Sequence, residues 1–363
     1  MKQRAHYRRA VLAAAVALWA IAAVRAQPVP SVRGIWISPP SSTAVIPSVV
    51  RTLDAAGLNM VVMPVFYDGR AVYPSRIFPQ HDAYVGSDPA ALLTRQTHRR
   101  GMRAVAALDL LYWQSSGSPS PAVSSHPQWL ERTAEGRIIG DEPGRPGAFV
   151  SPAEPRVKSL LVELVSELAS RYDFDGVVLD FARWSRVDFL GYADADRKLY
   201  LDERRTDPLD VDLFGYATPD NLVQALVGWQ EARITEVAQA AAEAFARGEP
   251  TGVVLAVVEP AYYDNRTADP VRQDWRTWVS QGWAKHMLPR GIRYRDPVRA
   301  RAQLRAAFGS ERPAAMALIE PTAGLSAREQ MAVVAEIELP GFVLWARDSL
   351  DQRRAILREL GAW

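Results

Sequence analysis

The sequence predicts a single (β/α)8 TIM barrel with long loops after its third and fourth strands. Three observations support this. Short apolar runs alternate with amphipathic stretches along the chain after residue 26, the pattern of a parallel sheet covered by helices. Several runs, such as Val253-Val254-Leu255-Ala256-Val257-Val258, are apolar without a break, as strands buried on both faces must be. No glycine-rich phosphate loop follows any strand, which disfavours an open, doubly wound sheet. A chain of 363 residues that is 48% hydrophobic can bury one core of this size.

The elements follow in order. Residues 1–26 read as a secretory signal. Lys2, Arg4, Arg8 and Arg9 make a cationic start, an apolar run follows over residues 11–24, and Val24-Arg25-Ala26 offers a cleavage site. The run is short for a membrane span, which needs about 20 residues. Residues 27–363 then form the barrel domain, expected in the periplasm or cell envelope or secreted, with no membrane span once the signal is removed. The eight strands are expected at residues 32–38, 60–67, 104–110, 176–181, 252–259, 285–291, 313–320 and 341–345. Between them lie helices, of which the clearest carries Val157, Leu160, Leu161, Leu164, Val165 and Leu168 as one stripe. The others are expected at residues 45–56, 89–100, 222–247, 271–281, 297–308, 327–337 and 350–360. Residues 114–150 and 183–220 are too long for simple turns, and both follow strand C-terminal ends, where barrels build their active sites.

Charge and composition exclude several functions. The formal net charge is +2, but residues 1–26 hold five basic residues and no acidic one, which leaves −3 for the remainder. No basic face for nucleic acid is therefore expected. The absence of cysteine rules out disulfides, thiolate metal sites and a cysteine nucleophile. The five histidines lack paired zinc spacing, and no Gly-x-Ser-x-Gly elbow exists. Neither a metal nor another cofactor is expected. The acidic run Asp194, Asp196, Asp202 and Glu203 lacks the spacing of a calcium loop and reads as a solvated helix face. Asp173 and Asp175 precede the fourth strand and read as turn and capping residues at the stability face.

Four carboxylates end separate strands: Asp109, Asp180, Glu259 and Glu320. A carboxylate beside an apolar strand is costly unless it is paired or used. Glycosidic cleavage uses two such groups, one to protonate the leaving oxygen and one to attack or to activate water. Asp180 and Glu259, on adjacent strands, are the expected pair, facing each other across an open cleft, with Glu259 as the acid. Aromatic residues crowd the same strand ends: Trp36, Tyr67, Tyr112, Trp113, Trp184, Tyr262, Tyr263, Tyr294 and Trp345. With Asp68 and Arg183 they form the expected sugar-binding set. Trp113 and Trp184, on the two long loops, are expected to stack on sugar, whereas for Trp36 and Trp345 barrel packing is the favoured reading.

Several segments resemble the family-10-like glycosyl hydrolases, the former DUF187 family. They are Arg33-Gly34-Ile35-Trp36-Ile37, Gly57-Leu58-Asn59-Met60-Val61-Val62, Tyr73-Pro74-Ser75 and Arg100-Gly101-Met102-Arg103. Ser151-Pro152, Tyr172-Asp173-Phe174-Asp175-Gly176 running on to Asp180, Gln273-Asp274-Trp275 and Gly341-Phe342-Val343-Leu344-Trp345 continue the likeness across nearly all of residues 32–350. The resemblance implies a distant relation to α-amylase-like barrels, with Asp180 as nucleophile after strand four. Glu259 and Glu320 are then variants of the acids after strands five and seven. It also implies a cell-wall glycan of the peptidoglycan type as the polysaccharide or oligosaccharide partner. The chain departs from the family pattern at Phe181, at Arg183-Trp184, at Val105-Ala106-Ala107 with Asp109, and at Glu259-Pro260. These departures keep a second function in view, a carbohydrate-binding pseudo-glycosidase. A phosphate-handling barrel is disfavoured, since Pro321-Thr322-Ala323-Gly324 is a faint phosphate loop at best.

Overall fold

The computed structural model describes residues 30–114, 120–144, 147–215, 218–259, 269–309, 314–320, 324–346 and 350–360. Eight parallel strands form the barrel: β1 (Val32–Ile37), β2 (Met60–Tyr67), β3 (Arg103–Asp109), β4 (Gly176–Asp180), β5 (Val253–Val258), β6 (His286–Pro289), β7 (Ala317–Ile319) and β8 (Gly341–Ala346). Hydrogen bonding runs β7-β8-β1-β2-β3-β4-β5-β6, and a parallel bridge between Met287 and Ala315 brings β6 against β7. The barrel is thus nearly closed, as the alternation of elements implied. Strands six and seven are shorter than their apolar runs suggested.

The uninterrupted runs are explained by two buried faces. Trp36, Val62, Val105, Ala107, Val178, Leu255, Val257, Leu318 and Trp345 fill the barrel interior. Their neighbours in sequence, among them Ile35, Val61, Ala106, Val177, Ala256 and Leu344, pack outward against the helices. Side chains alternate along a strand, so both phases must be apolar.

Besides a one-turn helix at Pro121–Ser125, the helices are α1 (Ile46–Ala55), α2 (Pro89–His98), α3 (Pro155–Arg171), α4 (Asp194–Arg204), α5 (Asp220–Gly248), α6 (Trp275–Ser280), α7 (Pro297–Phe308), α8 (Ala327–Glu336) and α9 (Leu350–Leu360). Local chemistry starts several of them. Asp88 caps α2, whose first residue is Pro89, and Ser326 with Glu329 makes a reciprocal capping box on α8. The stripe expected on α3 is buried. At the barrel's N-terminal end, Asp175 accepts hydrogen bonds from the Ala104 amide at 2.8 Å and from His98 Nε2 at 2.9 Å, a turn-bracing role. Among the described residues no helix is long and apolar enough to cross a membrane.

Both long connections are built rather than bare. The loop after β3 contains a short hairpin pairing Tyr112–Gln114 with Ala148–Phe149. The loop after β4 contains α4, whose Asp196 is fully buried, so the acidic run is not wholly the solvated face its sequence suggested.

Candidate active site

Asp109 and Asp180 end neighbouring strands and stand opposite each other in the β3–β4 register. The pairing continues past them: the Leu110 amide donates to Asp180 O at 2.9 Å and the Leu111 amide to Phe181 O at 3.3 Å. Each carboxylate lies two residues beyond an inward side chain: Asp109 beyond Ala107, Asp180 beyond Val178, Glu259 beyond Val257 and Glu320 beyond Leu318. All four therefore share the phase that points into the barrel mouth. The structure closes Asp109, Asp180 and Glu259 off, with 1%, 0% and 6% of their surface exposed. The expected open cleft between Asp180 and Glu259 is not what the chain forms.

The reason is an arginine. Arg183, three residues after Asp180, is buried. It grips Asp141 with both terminal nitrogens, at 2.7 and 3.0 Å, and its Nε lies 3.3 Å from Glu259 Oε1. Arg186 reaches the same two acids, Asp141 at 2.9 Å and Glu259 at 4.0 Å. Burial opposes charge on Arg183, but the carboxylates of Glu259 and Asp141, and then Asp180, hold its pKa above the ordinary value. Burial likewise works against the charge of Asp141, and Arg183 and Arg186 overcome it and hold that carboxyl below its usual range. Arg183 is thus a charge hub beneath the mouth, not the sugar contact it was expected to be.

Phe181, immediately after Asp180, has φ +47°. A bulky residue there is strained, at a typical cost of about 1–3 kcal/mol, and such strain collects at functional sites. Its neighbours hold it in place. The Phe181 ring stacks on Tyr112 at 4.8 Å, the Arg183 guanidinium lies 4.8 Å over it, and the Phe181 amide donates to Asp180 Oδ1 at 2.9 Å.

The remaining expected residues divide sharply. Trp113 is completely buried, donates to Leu110 O at 2.8 Å and packs edge-on against Phe66, Phe78 and Trp129. Trp184 is also fully buried, pressed close to Gly191. Neither offers a face for sugar: the long loops fold back onto the barrel and take these rings as their own core. Trp36 and Trp345 meet inside the barrel with ring centres 5.0 Å apart, and Tyr294 has no exposed surface. Of the expected aromatics that are described, Tyr67 alone keeps partial exposure, stacked on His81 at 4.1 Å, with Asp68 beside it at φ +52°. Tyr262 and Tyr263 lie outside the described residues. Glu320 is drawn away from the other acids: it accepts from the Gly291 amide at 3.1 Å and pairs with Arg290 at 3.4 Å, whose guanidinium covers Trp345.

Two features escaped the sequence reading. Asp269 follows the loop beyond β5 and is 4% exposed. Burial pushes its carboxyl up to about 7; the Val271 amide and Arg272 oppose this, and the charge of Glu259 adds to it. The other is a pair of buried acids, Glu131 and Asp196, joining the two long loops. Glu131 Oε1 accepts from the amides of Tyr192 and Ala193, each at 3.1 Å, while Ser151 Oγ donates to Asp196 Oδ2. Burial raises the pKa of both carboxyls, that of Asp196 strongly, and the charge of Glu131 adds to the rise in Asp196. At the opposite end of the barrel a cavity of about 400 Å³ is lined by His98, Arg103, Asp173, Asp175, Glu249 and Lys285. That end serves stability in barrels of this kind.

Comparison with known proteins agrees with this architecture. The chain is 28% identical to the Glycosyl hydrolase DigH of Escherichia coli K12 over 177 residues, covering 42% of this chain and 38% of that protein. The chain thus spans well under half the length of the curated relative. Among solved structures, α-L-fucosidase isoenzyme 2 from Paenibacillus thiaminolyticus superposes with a TM-score of 0.63 at 15% identity, over 91% of this chain and 48% of that one. The catalytic domain of the Paenibacillus polymyxa β-amylase gives 0.58 at 9% identity, over 91% of this chain and all of the other. Both likenesses are likenesses of fold. The profile of the family "Glycosyl hydrolase-like 10" matches residues 31–312, more than half of the chain, and the chain belongs to that family.

Proposed function

We propose that the protein is an exported glycoside hydrolase that cleaves cell-wall glycan by a two-carboxylate mechanism at the barrel mouth. The observation that carries this reading is the side-by-side placement of Asp109 and Asp180 at adjacent strand ends, with a strained residue immediately after Asp180. Asp180 is the nucleophile, attacking the anomeric carbon as the glycosidic C–O bond breaks. A neighbouring carboxyl protonates the leaving oxygen, and water then releases the glycosyl group from Asp180. The choice of wall glycan over other polysaccharides follows the family resemblance and the export-type N-terminus.

A second reading, a glycan-binding protein without catalysis, is favoured by the complete burial of Asp180 and by the ion pairs that occupy Glu259. Incubation with a glycan panel, including wall glycan with and without stem peptides, followed by mass spectrometry of products, separates the two. On the hydrolase reading the protein releases fragments and Asp180→Asn releases none. Retention of glycan without cleavage by either protein would establish the binding reading instead.

A further inference from the structure

Tyr67 stands in one layer with two of the strand-end acids. Phe66, Leu108 and Leu179 are register partners on β2, β3 and β4, and all three pack outward against the helices. Side chains alternate along a strand, so the next residue on each, Tyr67, Asp109 and Asp180, takes the opposite phase and points into the mouth. Tyr67 is thus one strand spacing, about 5 Å, from Asp109 and two, about 10 Å, from Asp180. Within this layer both acids are buried, whereas Tyr67 is partly exposed. Among the described residues it is also the one tyrosine that is not buried.

Its ring is held from behind. Tyr67 pairs antiparallel with Arg70. The two residues between them, Asp68 and Gly69, have φ +52° and +61°, the left-handed pair of a tight hairpin turn that Asp-Gly suits. The His81 ring stacks on Tyr67 at 4.1 Å and 30° from parallel, and Tyr84 meets His81 edge-on at 6.3 Å. The backing rings are themselves fixed: the His81 amide donates to Ala71 O at 2.8 Å, and the Tyr84 hydroxyl donates to Pro39 O at 3.0 Å. One face of Tyr67 is therefore covered, and its exposure belongs to the other face and the edge. A ring fixed in advance loses little conformational freedom on binding. Its electron-rich face attracts polarised C–H groups, which a pyranose presents on its flat side.

We propose that Tyr67 is the platform that holds the glycan at the barrel mouth, one sugar ring stacked on its open face, and that His81 is the positioning residue that sets the angle of that face. This rests on the mouth being a glycan site, and it holds whether or not the bound glycan is then cleaved.

The test uses the full-length protein and solubilised wall glycan strands. Tetranitromethane nitrates the ring of accessible tyrosines, and the tryptic peptide 52–70 holds Tyr67 as its one tyrosine, so mass spectrometry of that peptide reads this ring alone. Glycan at about ten times its Kd should slow the nitration of Tyr67 roughly tenfold, in proportion to occupancy. Tyr67→Ala should weaken glycan affinity roughly 5- to 100-fold, the range for one ring stacked on an aromatic residue, while Tyr67→Phe keeps the face and should stay within about threefold of the parent. His81→Ala uncovers the second face, so Tyr67 should be nitrated faster and bind glycan more weakly, and His81→Phe should restore both. If the parent binds glycan while the nitration rate of Tyr67 is unchanged, or while Tyr67→Ala keeps full affinity, the platform is overturned and the glycan reading stands. A Tyr67 that resists nitration without glycan overturns it as well. The nitration measurement needs the parent alone, so it decides even where Tyr67→Ala fails to fold. If the parent retains no wall glycan, the cell-wall glycan reading fails and the platform falls with it.

Discussion

Arg183 shows how one side chain turns a set of strand-end acids into a structured site. Its bidentate contact with Asp141 and its approach to Glu259 balance charges that burial would otherwise make costly. Breaking such a network from one side leaves uncompensated charge, so Arg183→Met should lose about 3–5 kcal/mol of unfolding free energy. Chemical denaturation measures this, and adding Asp141→Asn to the same chain should restore part of the loss, because the pair couples. Trp113 makes the opposite point. It was legible as a loop aromatic available to sugar, yet its ring is enclosed by Phe66, Phe78 and Trp129. Trp113→Ala should cost about 3–5 kcal/mol of stability and leave glycan affinity unchanged in the fraction that remains folded. A lost affinity at unaltered stability would return Trp113 to the binding surface.

The two long rim loops are the elements on which the mouth depends, and buried acids lock them together. Glu131 from the first loop holds the Tyr192 and Ala193 amides of the second, and Asp196 on α4 holds Ser151 at the end of the first. Burial raises both pKa values, and the negative Glu131 raises Asp196 further. The folded state therefore keeps a proton that the unfolded chain gives up. Stability from this pair is complete below the ordinary carboxylate pKa of about 4 and is lost as pH rises through the raised folded values. In Asp196→Asn the amide oxygen can still accept from Ser151, and its N–H can donate permanently to Glu131. Relative to the parent, Asp196→Asn should unfold at a higher temperature above neutral pH, and the gap should narrow on acidification. Melting curves across pH check this; a gap that is independent of pH would show that the two acids share no proton.

The barrel as a whole is set by alternation: both phases of each strand are apolar, one filling the interior and the other meeting the helices. This leaves the strand ends as the place where polar chemistry can gather. Export belongs to the proposed function. N-terminal sequencing of material recovered outside the cytoplasm should begin at or near Gln27; an intact Met1 in the membrane fraction would mean that the segment is kept as an anchor.

Strand runs, helix stripes and caps were legible because each depends on residues a few positions apart. The same period of two that buries Val178 and Val257 predicts that Asp180 and Glu259 point into the mouth. The fates of Trp113, Trp184, Asp196 and Asp269 were not legible. Each lies in a polar connection whose local composition resembles exposed chain, and each is buried by a segment distant in sequence: Trp113 by Phe66 and Phe78, Trp184 beside the Val271 turn, Asp196 against Glu131 and Ser151. The division of labour among the acids has the same origin. Proton affinity follows from burial and from neighbouring charge, and Arg183 meets Asp141 and Glu259 only when three separate connections close over the barrel.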